Sequence, residues 1–79
     1  MKLPRDLSGQ ELVKHLCKRW GYEQLHQVGS HVILQTEHPS PHRVAVPAHN
    51  ALRIGTLNAI LSDVARHKRV PKEDILKSI

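Results

Sequence analysis

Apolar residues in the first quarter of the chain recur at the spacing of an amphipathic helix. Ser8 can cap this helix, and Glu11 stands three residues later, which together make a capping box. Gly21 follows the last apolar position as a stop signal. The apolar stripe consists of Leu12, Val13, Leu16, Cys17 and Trp20. The pattern therefore predicts a first helix over residues 9–20.

Alternation then replaces helical spacing and predicts a β-hairpin. Residues 22–28 and 31–36 are rich in β-branched or alternating side chains, and Gly29-Ser30 between them is typical of a turn. In the second strand Val32 and Leu34 share one face. His31, Ile33 and Gln35 share the other face. A short third strand is predicted over residues 43–46, ended by Pro47.

The last third of the chain returns to helical spacing. Gly55-Thr56 opens a second helix, whose apolar face carries Leu57, Ile60, Leu61 and Val64. Pro71 suits the first turn of a short last helix. Short connections favour an antiparallel meander, so we expect a two-layer α+β domain with a three-stranded sheet and the helices on one face. The other sheet face would remain open to a partner, and residues 1–79 would form a single domain.

Composition narrows the functional classes. Twelve Lys and Arg against seven acidic residues give a formal net charge of +5, which favours polyanionic partners, although many small basic proteins bind no nucleic acid. With one Trp, one Tyr and no Phe, the chain cannot stack a series of bases on aromatic rings. If it binds RNA, we expect it to use charge, shape and backbone.

Cysteine usage and hydropathy bear on the compartment. Cys17 is the lone cysteine, which excludes a disulfide within the chain, and its place in the apolar stripe suits a small buried hydrophobe. No apolar run approaches the roughly 20 residues that span a bilayer, and the N-terminal residues lack a signal core. We therefore expect a cytoplasmic protein that does not associate with membranes.

Seven histidines are the remaining candidates for chemistry. Their spacing, with no second cysteine, does not match a common zinc set, so we expect no metal and no cofactor. The chain also lacks a nucleophile elbow, a Gly-rich phosphate loop before Lys-Ser/Thr and the carboxylate cluster of a two-metal nuclease.

Histidine acid–base chemistry is sufficient for RNA cleavage. RNA carries its own nucleophile, the 2′-hydroxyl, so a protein must move protons and steady the charged phosphorus centre. His31 is the best placed candidate because a phosphate can approach the backbone of the preceding Gly29-Ser30 turn closely. Spacing alone nevertheless favours a surface strand histidine without a task.

An ordered set of motifs resembles the HicA-type (YcfA-like) toxin family over roughly residues 3–64. No single motif is specific, but their order and spacing are. The motifs are Leu3-Pro4-Arg5-Asp6-Leu7-Ser8-Gly9-Gln10-Glu11-Leu12, Gly21-Tyr22, Gly29-Ser30-His31-Val32-Ile33-Leu34, Val44-Ala45-Val46-Pro47-Ala48-His49, Gly55-Thr56-Leu57 and Ile60-Leu61.

The resemblance implies a fold similar to a double-stranded RNA-binding domain, α-β-β-β-α. It also implies a metal-independent mRNA interferase, acting freely or on the ribosome, that a HicB-type antitoxin neutralises. The family's catalytic histidine corresponds to His31, and its Pro-x-His motif corresponds to Pro47 and His49. With the resemblance, a functional His31 becomes the favoured interpretation.

Phosphate contacts are then expected around His31. The candidate RNA-binding residues are Gly29, Ser30, Lys2, Arg5, Arg43, His49 and Arg53. Two other interpretations remain open. The chain could be a non-catalytic module that binds duplex RNA by shape, or a protein-interaction domain in which Ile33 beside His31 contacts an antitoxin.

The chain departs from the family pattern after the second helix. The family usually has a short Ala-Gly-Leu-type stop there, whereas this chain continues Arg66-His67-Lys68-Arg69-Val70-Pro71. These cations can satisfy the carbonyl end of the helix, which is the favoured interpretation, or they can form an extra phosphate-binding knob.

Overall fold

The computed structural model describes residues 3–4 and 6–79, which form three helices and one three-stranded sheet. The element order is α1 (Gly9–Arg19), β1 (Glu23–Val28), β2 (His31–Thr36), β3 (His42–Pro47), α2 (Ile54–Lys68) and α3 (Lys72–Lys77). Both strand pairs are antiparallel and the sheet order is β1-β2-β3. The α+β fold predicted from the sequence is confirmed.

Helix α1 begins where the sequence placed its cap. The backbone N–H of Glu11 donates to Ser8 Oγ at 3.1 Å, and the Ser8 N–H donates to Glu11 Oε1 at 3.3 Å. This capping box satisfies two backbone donors that would otherwise lack a partner at the helix start. The helix ends one residue earlier than predicted, at Arg19, and Trp20 is its C-cap.

The core lies between the helices and one face of the sheet. Alternate residues of β2 and β3 point into it, and Thr36 is its one buried polar side chain among the described residues. The buried apolar residues are Leu7, Leu12, Val13, Leu16, Tyr22, Val32, Leu34, Val44, Val46, Leu52, Leu57, Ile60, Leu61, Val64, Ala65 and Ile75. All of β1 is exposed, so the sheet has an open edge and an open outer face.

Element ends differ from the predictions by one or two residues. Tyr22 precedes β1 rather than starting it, and its side chain is buried in the core. Helix α2 starts at Ile54, one residue before the predicted Gly55. Pro71 is the N-cap of α3 and not part of its first turn. Within the described ranges, no helix combines the length and apolarity that crossing a membrane requires.

Candidate functional site

The turn between β1 and β2 is a tight two-residue loop with an open tip. Gly29 adopts φ +60°, which L-residues with a Cβ rarely adopt, whereas Ser30 has no positive φ. A positive φ at the first loop position alone is the pattern of a type II′ turn, which favours glycine there. A Cβ at Gly29 would meet nothing within 4 Å, so backbone conformation, and not crowding, requires the glycine. A ligand can therefore approach this tip freely.

Three chain segments meet beside this turn. His31 opens β2 and is the cross-strand partner of Pro47 at the end of β3. The N–H of Ala48 donates to the Ser30 carbonyl at 2.6 Å, which joins the segment after β3 to the turn. The N–H of Gly9 donates to the His49 carbonyl at 2.9 Å, which joins the same segment to the start of α1. The structure thus brings the Gly-Ser-His and Pro-x-His motifs to one end of the sheet.

His31 is exposed on the outer face of the sheet. The residues of β2 that face the core, such as Val32, are buried. Ile33, which shares the outer face with His31, is only half-buried. Cross-strand partners project to the same side, so Val28 and Pro47 flank His31 on the outer face. Val28 retains 59% of its surface exposed, which is high for an apolar side chain. The imidazole thus stands on an accessible and partly apolar surface.

The predicted cations do not all gather at this end. Arg43 is the cross-strand partner of Gln35, which lies four residues along β2 from His31. At the spacing of residues in a strand, Gln35 is about 13 Å from His31. Its Nη2 donates to Gln35 Oε1 at 2.7 Å. Arg53 is exposed at the N-cap of α2, directly after Leu52, whose N–H donates to the Leu7 carbonyl at 2.8 Å. Lys2 and Arg5 lie outside the described residues.

A second polar cluster lies at the opposite end of the sheet. His42 opens β3, and its Nδ1 is 2.8 Å from the hydroxyl oxygen of Tyr22. Its Nε2 is 3.4 Å from Oδ2 of Asp63 on α2. Burial, followed by the negative charge of Asp63, raises the pKa of Tyr22 to about 12. Since Tyr22 is 3% exposed, this chain of contacts ties the sheet to α2 and leaves the phenol inaccessible to a substrate.

The basic segment at the end of α2 joins this cluster. The ring of His67 stacks on that of His42, with centroids 4.3 Å apart, and its Nε2 is 2.9 Å from the Ser40 carbonyl oxygen. Lys68 Nζ donates to Thr36 Oγ1 at 2.9 Å and to the His38 carbonyl at 2.6 Å. Burial lowers the pKa of Lys68. Lys68 therefore anchors the loop after β2. At the helix end itself, Arg66, His67 and Lys68 lie in the last turn, and backbone N–H groups bind the carbonyls of Ala65 and Arg66.

Sequence reasoning did not assemble this second cluster. The residues that contact one another in it are 20 or more positions apart, as the pairs Tyr22–His42 and His42–Asp63 show, so no local periodicity links them. The one available signal was the number of histidines, which does not say which of them meet. In the described part of the chain, no three His, Cys, Asp or Glu side chains are placed to hold a metal ion. Cys17 is half-buried and its pKa is raised chiefly by burial, which disfavours a reactive thiolate.

The fold and the site together define a class of protein: a small basic α+β domain with an accessible histidine beside a tight glycine turn. The family model described as "HicA toxin of bacterial toxin-antitoxin" matches residues 9–79. The chain belongs to the HicA toxin family and is accordingly a toxin of a toxin–antitoxin system. No curated protein and no solved structure matches the chain.

Proposed function

We propose that this toxin is a metal-independent endoribonuclease that cleaves mRNA in the cytoplasm, with His31 as its catalytic residue. Residues 1–79 would act as a single HicA-like domain, neutralised by a HicB-type antitoxin. The observation that carries the proposal is the placement of His31, which stands exposed beside an open glycine turn and against the Pro47–His49 segment. The choice of this histidine over the other six is supported by the family resemblance, in which the Gly29-Ser30-His31 motif corresponds to the catalytic one.

The chemistry is transesterification within the RNA. His31 accepts the proton of a ribose 2′-hydroxyl, and the 2′-oxygen forms a bond to the adjacent phosphorus. The bond from phosphorus to the 5′-oxygen breaks, and that oxygen receives a proton from the protonated imidazole or from His49. The products are a 2′,3′-cyclic phosphate and a 5′-hydroxyl, so neither an oxidant nor a metal is needed to balance the step.

Phosphate binding would come from the end of the sheet that holds His31. The tip formed by Gly29 and Ser30 lets the sugar–phosphate backbone approach the protein backbone, and His49 follows Ala48, whose N–H donates to the Ser30 carbonyl. Arg53, exposed at the start of α2, would add a further phosphate contact. Lys2 and Arg5 would add charge from the N-terminal residues. Arg43, about 13 Å from His31 along the sheet, would contact a phosphate farther along the RNA strand.

Replacing the imidazole tests the proposal directly. A residue that transfers a proton contributes about 10²- to 10⁴-fold to rate, so His31→Ala should reduce RNA cleavage by that factor and relieve growth arrest in a bacterial host. The matched control is His26→Ala, another exposed histidine, on the neighbouring strand in the row of Ile33. Circular dichroism should show both variants folded.

The products and the binding separate the alternatives. Cleaved RNA should carry 2′,3′-cyclic phosphate ends. Cleavage by folded His31→Ala at the wild-type rate would refute the assignment of His31. Salt-dependent RNA binding by the wild-type chain without any product would instead identify a non-catalytic RNA-binding module, and the absence of RNA binding at low salt would identify a protein-interaction domain.

A further inference from the structure

A cleft of about 330 Å³ lies at the end of α2, remote from His31. Its size is at the lower end of the range for small-molecule sites, about 300–1,000 Å³. It lies at the end of the sheet where His42 pairs with Thr36. Thr36 is five residues along β2 from His31, which corresponds to about 17 Å at the spacing of a strand. Its polar lining comes from Ser40, His42, Asp63, Arg66, His67 and Arg69.

The charge of this cleft favours an anion. Arg66 and Arg69 are exposed, and within residues 3–4 and 6–79 neither guanidinium makes an ion pair. Asp63 is the one carboxylate in the lining, and its partner is His42. Two guanidinium groups against one carboxylate leave the cleft with a charge of +1 when both imidazoles are neutral.

The C-terminus of α2 repels an anion less than a helix C-terminus normally does, because two of its carbonyl groups are hydrogen-bonded. Carbonyl groups at a helix C-terminus normally repel negative charge. Here the Ala65 carbonyl accepts from the N–H of Val70 at 3.1 Å, and the Arg66 carbonyl accepts from the N–H of Arg69 at 3.4 Å. Arg69 itself adopts φ +59°, which turns the chain away from the helix axis.

His67 lines the cleft, and its ring is held by Ser40 and by stacking on His42. Its Nε2 must carry a hydrogen, because its partner, the Ser40 carbonyl, can only accept. Of the cations at this end of α2, Arg66 and Arg69 line the cleft. Lys68, by contrast, is engaged with Thr36 and His38 and belongs to the fold.

We propose that this cleft binds a phosphate group of the RNA backbone, several nucleotides from the scissile bond, through Arg66 and Arg69. The inference rests on the proposed function, since it takes RNA as the substrate. It gives Arg66 and Arg69 a specific role, which is to anchor a long substrate at a distance from His31.

The test combines one double variant with a matched control. Arg66→Gln/Arg69→Asn removes both guanidinium groups, and asparagine tolerates the left-handed conformation at position 69. Lys18→Gln/Arg19→Gln removes the same charge from two exposed positions in the last turn of α1. Both are made with His31→Ala, so that RNA is bound without being cleaved.

Binding is measured for a long single-stranded RNA and for a short one that covers only the His31 end, over a series of salt concentrations. We expect Arg66→Gln/Arg69→Asn to weaken binding of the long RNA by about tenfold and to lower the salt slope of log Kd by about 0.7, the value for one phosphate contact. Binding of the short RNA should be unchanged. The control variant should leave the salt slope of log Kd and the ratio of the Kd values for the long and the short RNA unchanged.

A second measurement examines the cleft without RNA. Titration with inorganic phosphate should shift the ring resonances of His67 and His42 saturably in the wild-type chain, and this response should disappear in Arg66→Gln/Arg69→Asn. Absence of a saturable shift would overturn the proposal. A shift with an unchanged RNA salt slope would also overturn it, because the cleft would then bind anions other than RNA.

The two proposals fail in different ways. If His31→Ala still abolishes cleavage but Arg66→Gln/Arg69→Asn binds long RNA like the control, only the distal site is wrong. If the wild-type chain binds no RNA at low salt, the proposed function is wrong, and the assignment of the cleft to RNA phosphate is wrong with it.

Discussion

Gly9 is the position where one added methyl group should separate helix α1 from the segment that carries His49. A Cβ at Gly9 would overlap the carbonyl oxygen of Pro47, and it would lie 2.8 Å from the Pro47 carbonyl carbon and 3.1 Å from the Ala48 Cα. Carbon atoms in contact are normally about 3.5–4.0 Å apart, so the carbon contact alone requires the two backbones to separate by about 0.7–1.2 Å, and the overlap with the carbonyl oxygen requires more. Neither is a flexible side chain that can swing away.

The cost of Gly9→Ala follows from these contacts. Overpacking of this kind costs about 1–3 kcal/mol. Separation of the backbones also stretches the bond from the Gly9 N–H to the His49 carbonyl, worth about 1 kcal/mol. Alanine gains up to about 1 kcal/mol in helix propensity. We expect a net loss of about 1–3 kcal/mol in the free energy of unfolding, with Tm falling about 4–8 °C for each kcal/mol.

Gly55→Ala is the matched control. Gly55 is also in the first turn of a helix, but a Cβ there would meet nothing within 4 Å, so this variant should be as stable as the wild type or up to about 1 kcal/mol more stable. Urea and thermal unfolding followed by circular dichroism measure both. Equal stability of Gly9→Ala and Gly55→Ala would refute the argument that close backbone contact requires glycine at position 9.

Two further predictions concern the single aromatic residues. Tyr22, the only tyrosine, should ionise near pH 12 when the folded protein is titrated and followed by ultraviolet absorbance. The unfolded chain loses the same proton near its ordinary pKa of about 10. The free energy of unfolding should therefore fall as pH rises from 10 through 12. Tyr22→Phe should abolish that fall and cost about 1–3 kcal/mol at neutral pH by leaving His42 Nδ1 without its partner; a tyrosine that titrates near pH 10 in the folded protein would contradict this. Ser78→Ala should lower the free energy of unfolding by about 0.5–1.5 kcal/mol, because Trp20 Nε1 donates to Ser78 Oγ at 3.0 Å. Fluorescence of the single tryptophan follows the unfolding. An unchanged unfolding midpoint would show that this bond does not hold α3 in place.

Local chemistry in the sequence was enough to determine the elements of the fold. The Ser8–Glu11 capping box, the glycine turn at position 29 and the alternation in β2 each involve neighbours within a few residues, and the structure confirms all three. Element ends were not fixed locally, because the first and last turns of a helix depend on what packs against them, as Pro71 at the start of α3 and Trp20 at the end of α1 show.

The choice of His31 is a prediction that depends on the family resemblance, and the surroundings of His31 were decided by tertiary structure. The motif marks the histidine, but strand pairing brings Pro47 beside it, and the hydrogen bond from the Gly9 N–H to the His49 carbonyl joins the His49 segment to the start of α1. The cluster of Tyr22, His42 and Asp63 could not be derived from the sequence, because its members come from three elements that meet only when the sheet packs on α2. Periodicity describes neighbours along the chain, whereas a site depends on distances across it.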